Sequence, residues 1–181
     1  MNILLFNGGT SHKNTEMIVN EYKREIESRG HSVVLLDEYF KDCLNCSACV
    51  KTNKCCIPDN LTKVLSENKF DVITIATPIY FFHMSAKAKA FLDRLYSINK
   101  ENLIFSLLCI SGSHYEESGI DLVEESMYRV CDFCGSFLTP TFYKSTNDTF
   151  TGELTENDVV YIKKVIDETE ALLDEVKEEI I

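Results

Sequence analysis

The chain is constrained most by an alternation. Short apolar runs rich in β-branched and aromatic residues take turns with stretches whose apolar residues recur every three or four positions. "ILLF" (3–6) leads to Asn7-Gly8-Gly9. After it, Asn14 or Thr15 can cap a helix that carries Ile18, Tyr22 and Ile26 on one face and stops at Gly30. "SVVLL" (32–36) reads as a second strand, and Leu61, Val64 and Leu65 mark a short helix. "DVITIA" (71–76) is a third strand, expected to halt at Pro78. "SAKAKAFLDRLYS" (85–97) follows with the Ala, Leu and Lys content of a helix interior, and Ser85 is placed to cap it.

"LIFSLLCI" (103–110) and "SFLTPTFY" (136–143) complete five strands, with a helix between them ending near Cys134. Pro140 lacks a ladder donor, which puts the fifth strand at a sheet edge. A last helix from about Glu156 places Val159, Ile162, Ile166, Thr169, Leu173, Val176 and Ile180 on one seam, expected to lie on its own sheet rather than in a coiled coil.

Strands alternating with helices specify a parallel α/β sheet. The expected form is flavodoxin-like: five parallel strands in the order 2-1-3-4-5 with helices on both faces. The 181 residues suit a single domain over 1–181, with a cysteine-rich insertion at about 41–60. A net charge of −11 argues against nucleic acid as a partner, because phosphate neutralisation needs clustered Lys and Arg. No basic-then-apolar leader and no apolar run near ~20 residues is visible, so a cytoplasmic protein with no membrane partner is expected.

In such a sheet the ligand sits beyond the carboxyl ends of the strands, at the switch point between strands one and three. The loops after strands one, three and four therefore carry the argument. "NGGTSHKNTEM" (7–17) offers two glycines for a tight turn, polar groups on Thr10, Ser11, Asn14 and Thr15, and free N–H groups at a helix start: the parts of a phosphate cradle. It is neither a Walker A loop nor a Gly-x-Gly-x-x-Gly dinucleotide loop. "TPIYFFHM" (77–84) puts Pro78, Ile79, Tyr80, Phe81 and Phe82 at the sheet edge. Aromatics there can border a flat ring, although two of the four large side chains are expected in the core. "SGSHYEESG" (111–119) permits close backbone approach at Ser111, Gly112 and Ser113. His31, His83 and His114 read as solvated, and no Ser-His-Asp triad or histidine-rich zinc site is visible.

Five of the eight cysteines fall between 43 and 56, in "CLNCSACVKTNKCC". Cys43, Cys46, Cys49 and Cys55 form C-x2-C-x2-C-x5-C. That spacing suits a 4Fe–4S cubane better than zinc, whose sites usually join two separated knuckles. Cys56 leaves the fourth ligand open. Cys109, Cys131 and Cys134 read as ordinary buried thiols.

Four stretches together resemble the NADPH-dependent FMN reductase and iron–sulfur flavoprotein branch of the flavodoxin-like superfamily: "NGGTSHKNTEMI", "CLNCSACVKTNKC" with "IPDN" after it, "TPIYFFHMSAKAKAFLDR" and "ISGSH". The resemblance implies FMN, its phosphate at Thr10, Ser11, His12, Lys13, Asn14 and Thr15. It implies a ring against Pro78, Ile79, Tyr80 and Phe81, and against Ser111, Gly112 and Ser113. The first loop is one residue shorter than the family's usual form and lacks its arginine, leaving Lys13 or His12 to supply the charge.

The resemblance further implies an FMN-dependent oxidoreductase, with electrons passing from NAD(P)H or a ferredoxin-like protein to a small-molecule or protein acceptor. It also implies a homodimer or homotetramer. No side chain is expected to be catalytic, because the chemistry belongs to the flavin. The alternatives are an electron carrier with a 4Fe–4S cluster on Cys43, Cys46, Cys49 and Cys55 and, more distantly, a thiol sensor or structural metal-binding protein.

Overall fold

The computed structural model describes residues 1–9, 14–98, 100–146 and 153–180. Its strands are β1 (Asn2–Asn7), β2 (Ser32–Leu36), β3 (Val72–Tyr80), β4 (His83–Met84), β5 (Ile104–Ser111), β6 (Phe137–Leu138) and β7 (Phe142–Ser145). They are ordered β2-β1-β3-β5-β6, with β7 also on β5 and β4 folded back on β3. Every pairing is parallel except the β3–β4 hairpin. This is the expected order, with the fifth strand broken in two around Pro140, which has no N–H to continue the ladder.

The sheet sorts its side chains by alternation. Leu4 and Phe6 face a core shared with α3 (Asn60–Glu67), α4 (Ala86–Arg94) and α5 (Ile120–Cys134). Ile3 and Leu5 face α1 (Asn14–Ser28) and α6 (Glu156–Ile180). Phe6 stacks on Phe91 of α4 at 4.2 Å between ring centroids, a contact worth about 1 kcal/mol beyond area burial. Ile162, Ile166, Thr169, Leu173 and Val176 are buried within the chain, so the α6 seam serves its own sheet.

Three expectations need correction. Pro78 does not halt the third strand: β3 continues to Tyr80, pairing Pro78 with Ile110. It is tolerated because β1 ends opposite Ala76, leaving Pro78 no neighbour on that side to donate to. Of the four large residues after it, only Ile79 is buried, while Tyr80, Phe81 and Phe82 are exposed. Tyr80 pairs with His83 across a two-residue turn whose central residues, Phe81 and Phe82, both have positive φ (52° and 68°), and the turn throws both rings outward. Finally, His31 is not simply solvated: Nδ1 lies 3.0 Å from the Met1 amine and Nε2 2.6 Å from Glu170 Oε1, tying the amino terminus to α6.

Candidate functional site

Beyond the carboxyl ends of β1, β3 and β5 lies a cavity of about 190 Å³ lined by Asn14, Thr15, Pro78, Ile79, Tyr80, Ile110, Ser111, Gly112 and Thr146. Seven expected residues meet here: Asn14, Thr15, Pro78, Ile79, Tyr80, Ser111 and Gly112. Phe81 and Ser113 do not line it. Phe81 stands on the hairpin tip, 96% exposed, and Ser113 gives its carbonyl to the Tyr143 hydroxyl at 2.7 Å. Thr10, Ser11, His12 and Lys13 lie outside the described residues.

Each wall has a local cause. Gly8 donates to the Ala76 carbonyl at 2.7 Å, and its own carbonyl accepts from Ser85 Oγ at 2.7 Å. A Cβ at Gly8 would sit 2.9 Å from both Ala76 O and Ala88 Cβ, so only glycine lets the loop lie this close to β3 and α4. Gly9 donates to Asn7 Oδ1 at 2.9 Å, and a Cβ there would press on Thr15. Ser85 caps α4 as expected, accepting from Ala88 N–H at 3.1 Å. Ser111 takes two bonds on its carbonyl from Thr146, N–H at 2.8 Å and Oγ at 3.1 Å, which brings the end of β7 into the wall.

Two contributors escaped the sequence reading. Thr146 follows a strand whose boundary Pro140 obscured. Lys87 is buried under the first loop, its ammonium donating to Gly9 O at 3.3 Å and Asp37 Oδ1 at 3.1 Å, and lying 4.9 Å from the Tyr39 ring centroid. A signal was present: Lys87, Phe91 and Arg94 share one face of α4, so two cations had to be buried with partners.

The start of a fifteen-residue helix and an Ile-Tyr wall in one cavity fit the phosphate-bearing, planar group that the family resemblance implies. Asn14, Thr15, Ser111 and Thr146 supply polar contacts, and Pro78, Ile79, Tyr80 and Ile110 the apolar ones.

The cysteine segment is arranged differently. Arg94, buried on α4, donates to the Lys41 carbonyl at 2.9 Å and to Asp59 at 2.7 and 2.8 Å, closing both ends of the segment. Inside it, Cys46 and Cys56 bring their sulfurs to 3.2 Å. The Ala48 N–H, and then Cys56, hold the Cys46 thiol below its ordinary range, while Cys46 pushes the Cys56 thiol up. Cys55 is half-buried, and its thiol favours the charged Arg94 guanidinium. Cys49 lines a separate cavity with Lys100 and Cys134, and Cys43 is exposed. Cys134 is thus half-buried rather than core, whereas Cys109 and Cys131 are buried as expected. Among the described residues no three His, Cys, Asp or Glu side chains assemble as a metal-binding group. The thiols as placed do not form a four-sulfur cage.

The family model of NADPH-dependent FMN reductases matches residues 1–148. An iron–sulfur flavoprotein of Archaeoglobus fulgidus is 30% identical over 121 residues, 62% of this chain and 60% of that protein. An iron–sulfur flavoprotein of Methanocaldococcus jannaschii is 32% identical over 85 residues, 45% of this chain and 44% of its own. The matched stretches thus span between 44% and 60% of these two relatives. Among solved structures, the NAD(P)H:quinone oxidoreductase from Methanothermobacter marburgensis superposes with a TM-score of 0.66 at 14% identity, covering 90% of this chain and 92% of that one; this likeness concerns the fold.

Proposed function

The chain belongs to the NADPH-dependent FMN reductase family, and on that premise we propose that it binds FMN at the β1–β3–β5 cavity and works as an FMN-dependent oxidoreductase. The observation that carries this reading is the meeting of Asn14, Thr15, Pro78, Ile79, Tyr80, Ser111 and Gly112, drawn from three separate loops, around one cavity. When bound, FMN supplies the redox chemistry, its ring taking a hydride or single electrons.

The chain's own residues bind and orient. Gly8 and Gly9 keep the first loop clear of side chains, and Thr10 to Thr15 receive the phosphate. Lys87 fixes the loop from below through the Gly9 carbonyl. Pro78 to Tyr80, with Ser111 and Gly112, border the ring. The electron donor is NAD(P)H or a ferredoxin-like protein, and the acceptor a small molecule or a protein. The exposed rings of Tyr80, Phe81 and Phe82 support a homodimer or homotetramer that covers them.

A second reading adds a 4Fe–4S cluster on the cysteine segment. It is favoured by the spacing of Cys43, Cys46, Cys49 and Cys55 and by the names of the two archaeal relatives. It requires the segment to rearrange, and the contact between Cys46 and Cys56 favours Cys56 over Cys55 as fourth ligand. Anaerobic purification followed by absorbance, iron and sulfide analysis and an NADPH oxidation assay tests both readings. Flavin bands with NADPH consumption and no iron support the first alone. Four irons per chain add the second, and a protein that takes up no FMN contradicts both.

A further inference from the structure

We propose that Cys46 and Cys56 are a dithiol redox site that closes to a disulfide in the folded chain. Their sulfurs stand 3.2 Å apart, and both residues are exposed. A bond of about 2.05 Å needs an approach of little more than 1 Å. The fold makes this pair rather than another. Cys46 sits between Asn45 and Ser47, both at positive φ (50° and 55°), a local turn that sets its position. Cys56 is followed by buried Ile57 and by Asp59, which Arg94 holds. Cys49 lines a different cavity, with Lys100.

The oxidant is a low-molecular-weight disulfide. One protein thiolate attacks it, forming a mixed disulfide and releasing one small thiol, which carries away a proton. The second protein thiolate then displaces the other small thiol, again with a proton. Two protein S–H bonds and one small S–S bond are exchanged for one protein S–S bond and two small S–H bonds. The site is independent of flavin binding, and its closure withdraws Cys46 and Cys56 from any thiolate set on the segment.

The test uses the full chain, reduced and chelated to free its thiols, then incubated with oxidised glutathione, quenched with N-ethylmaleimide and mapped by tandem mass spectrometry. The expected product is a peptide pair linked Cys46 to Cys56, with Cys43 and Cys49 alkylated. Cys55→Ser should keep the link. Cys56→Ser should lose it and leave Cys46 as a glutathione adduct. In urea the selectivity should vanish, with links scattered among the five thiols. Glutathione adducts without a Cys46–Cys56 link in the folded chain would overturn the proposal, as would a dominant link between other cysteines. The same selectivity in urea would overturn it too, since the fold would then not be its cause.

Discussion

Arg94 and Asp59 meet through two parallel hydrogen bonds, Nη1 to Oδ2 at 2.7 Å and Nη2 to Oδ1 at 2.8 Å, with the arginine side chain 1% exposed. Because Nη1 also donates to the Lys41 carbonyl, one guanidinium on α4 holds the entry and exit of the cysteine segment together. Asp59 in turn caps α3 by accepting from Thr62 N–H at 3.0 Å. α4 thus reaches both regions of interest, with Lys87 under the glycine loop at its start and Arg94 at its end.

Replacing Arg94 with Met should destabilise the chain by about 2 kcal/mol, because the Lys41 carbonyl and the Thr62 hydroxyl lose a donor and the 22% exposed Asp59 loses its charge partner. Urea unfolding measures this. In the folded variant, the half-buried Cys49 and Cys55 should alkylate several-fold faster. Unchanged stability and unchanged alkylation would show that the clasp does not hold the segment.

The same pair sets an acid limit. Arg94 donation, reinforced by the Thr62 N–H, keeps the Asp59 carboxyl below its ordinary value of 3.8. A depressed carboxyl stabilises the fold fully above its unfolded value, and that contribution is lost as pH falls through the folded value. The stability gap between the native chain and Asp59→Asn should therefore be widest near about pH 6 and shrink towards about pH 3. A gap that stays constant over that window would contradict the assignment.

Phe81 has φ 52° on a tip where its ring is 96% exposed. A non-glycine residue held there costs about 1 kcal/mol or more, set against an edge-on contact with the Phe82 ring at 6.0 Å between centroids. Phe81→Asn should relieve that strain by about 1 kcal/mol within one chain while weakening the homodimer or homotetramer that covers the ring. Size-exclusion chromatography checks this, and an unchanged oligomeric state would mean that the Phe81 ring lies outside the interface.

The strands and helices were legible because alternation of apolar period is a local property, read off Ile3 to Phe6 or Ile18, Tyr22 and Ile26 without knowing what they touch, and their order followed from the flavodoxin-like pattern they fit. The Ser85 cap was legible for the same reason, since its partner is three residues away. Pro78 misled because its tolerance depends on where β1 ends, a fact about another strand. The β3–β4 hairpin was hidden by a Phe-Phe turn that lacks Asn or Gly. Lys87, Thr146 and the separation of Cys46 and Cys56 from the other thiols rest on contacts distant in sequence, which spacing alone does not encode.

Gly8→Ala tests the cradle as a structural element. The added methyl would lie 2.9 Å from backbone Ala76 O, so it should cost about 2 kcal/mol in urea unfolding. A neutral Gly8→Ala would contradict the close approach of the first loop to β3.

Gly112 offers the most direct measurement of the central claim. It lines the cavity, yet a Cβ there meets nothing within 4 Å, so a larger side chain fills the cavity without straining the fold. Calorimetric titration with FMN should give one flavin per native chain. For Gly112→Val, binding should be at least about tenfold weaker, a loss of about 1.4 kcal/mol, with Tm unchanged. Equal affinity in the two proteins, or no FMN binding by the native chain, would contradict a flavin site at the ends of β1, β3 and β5.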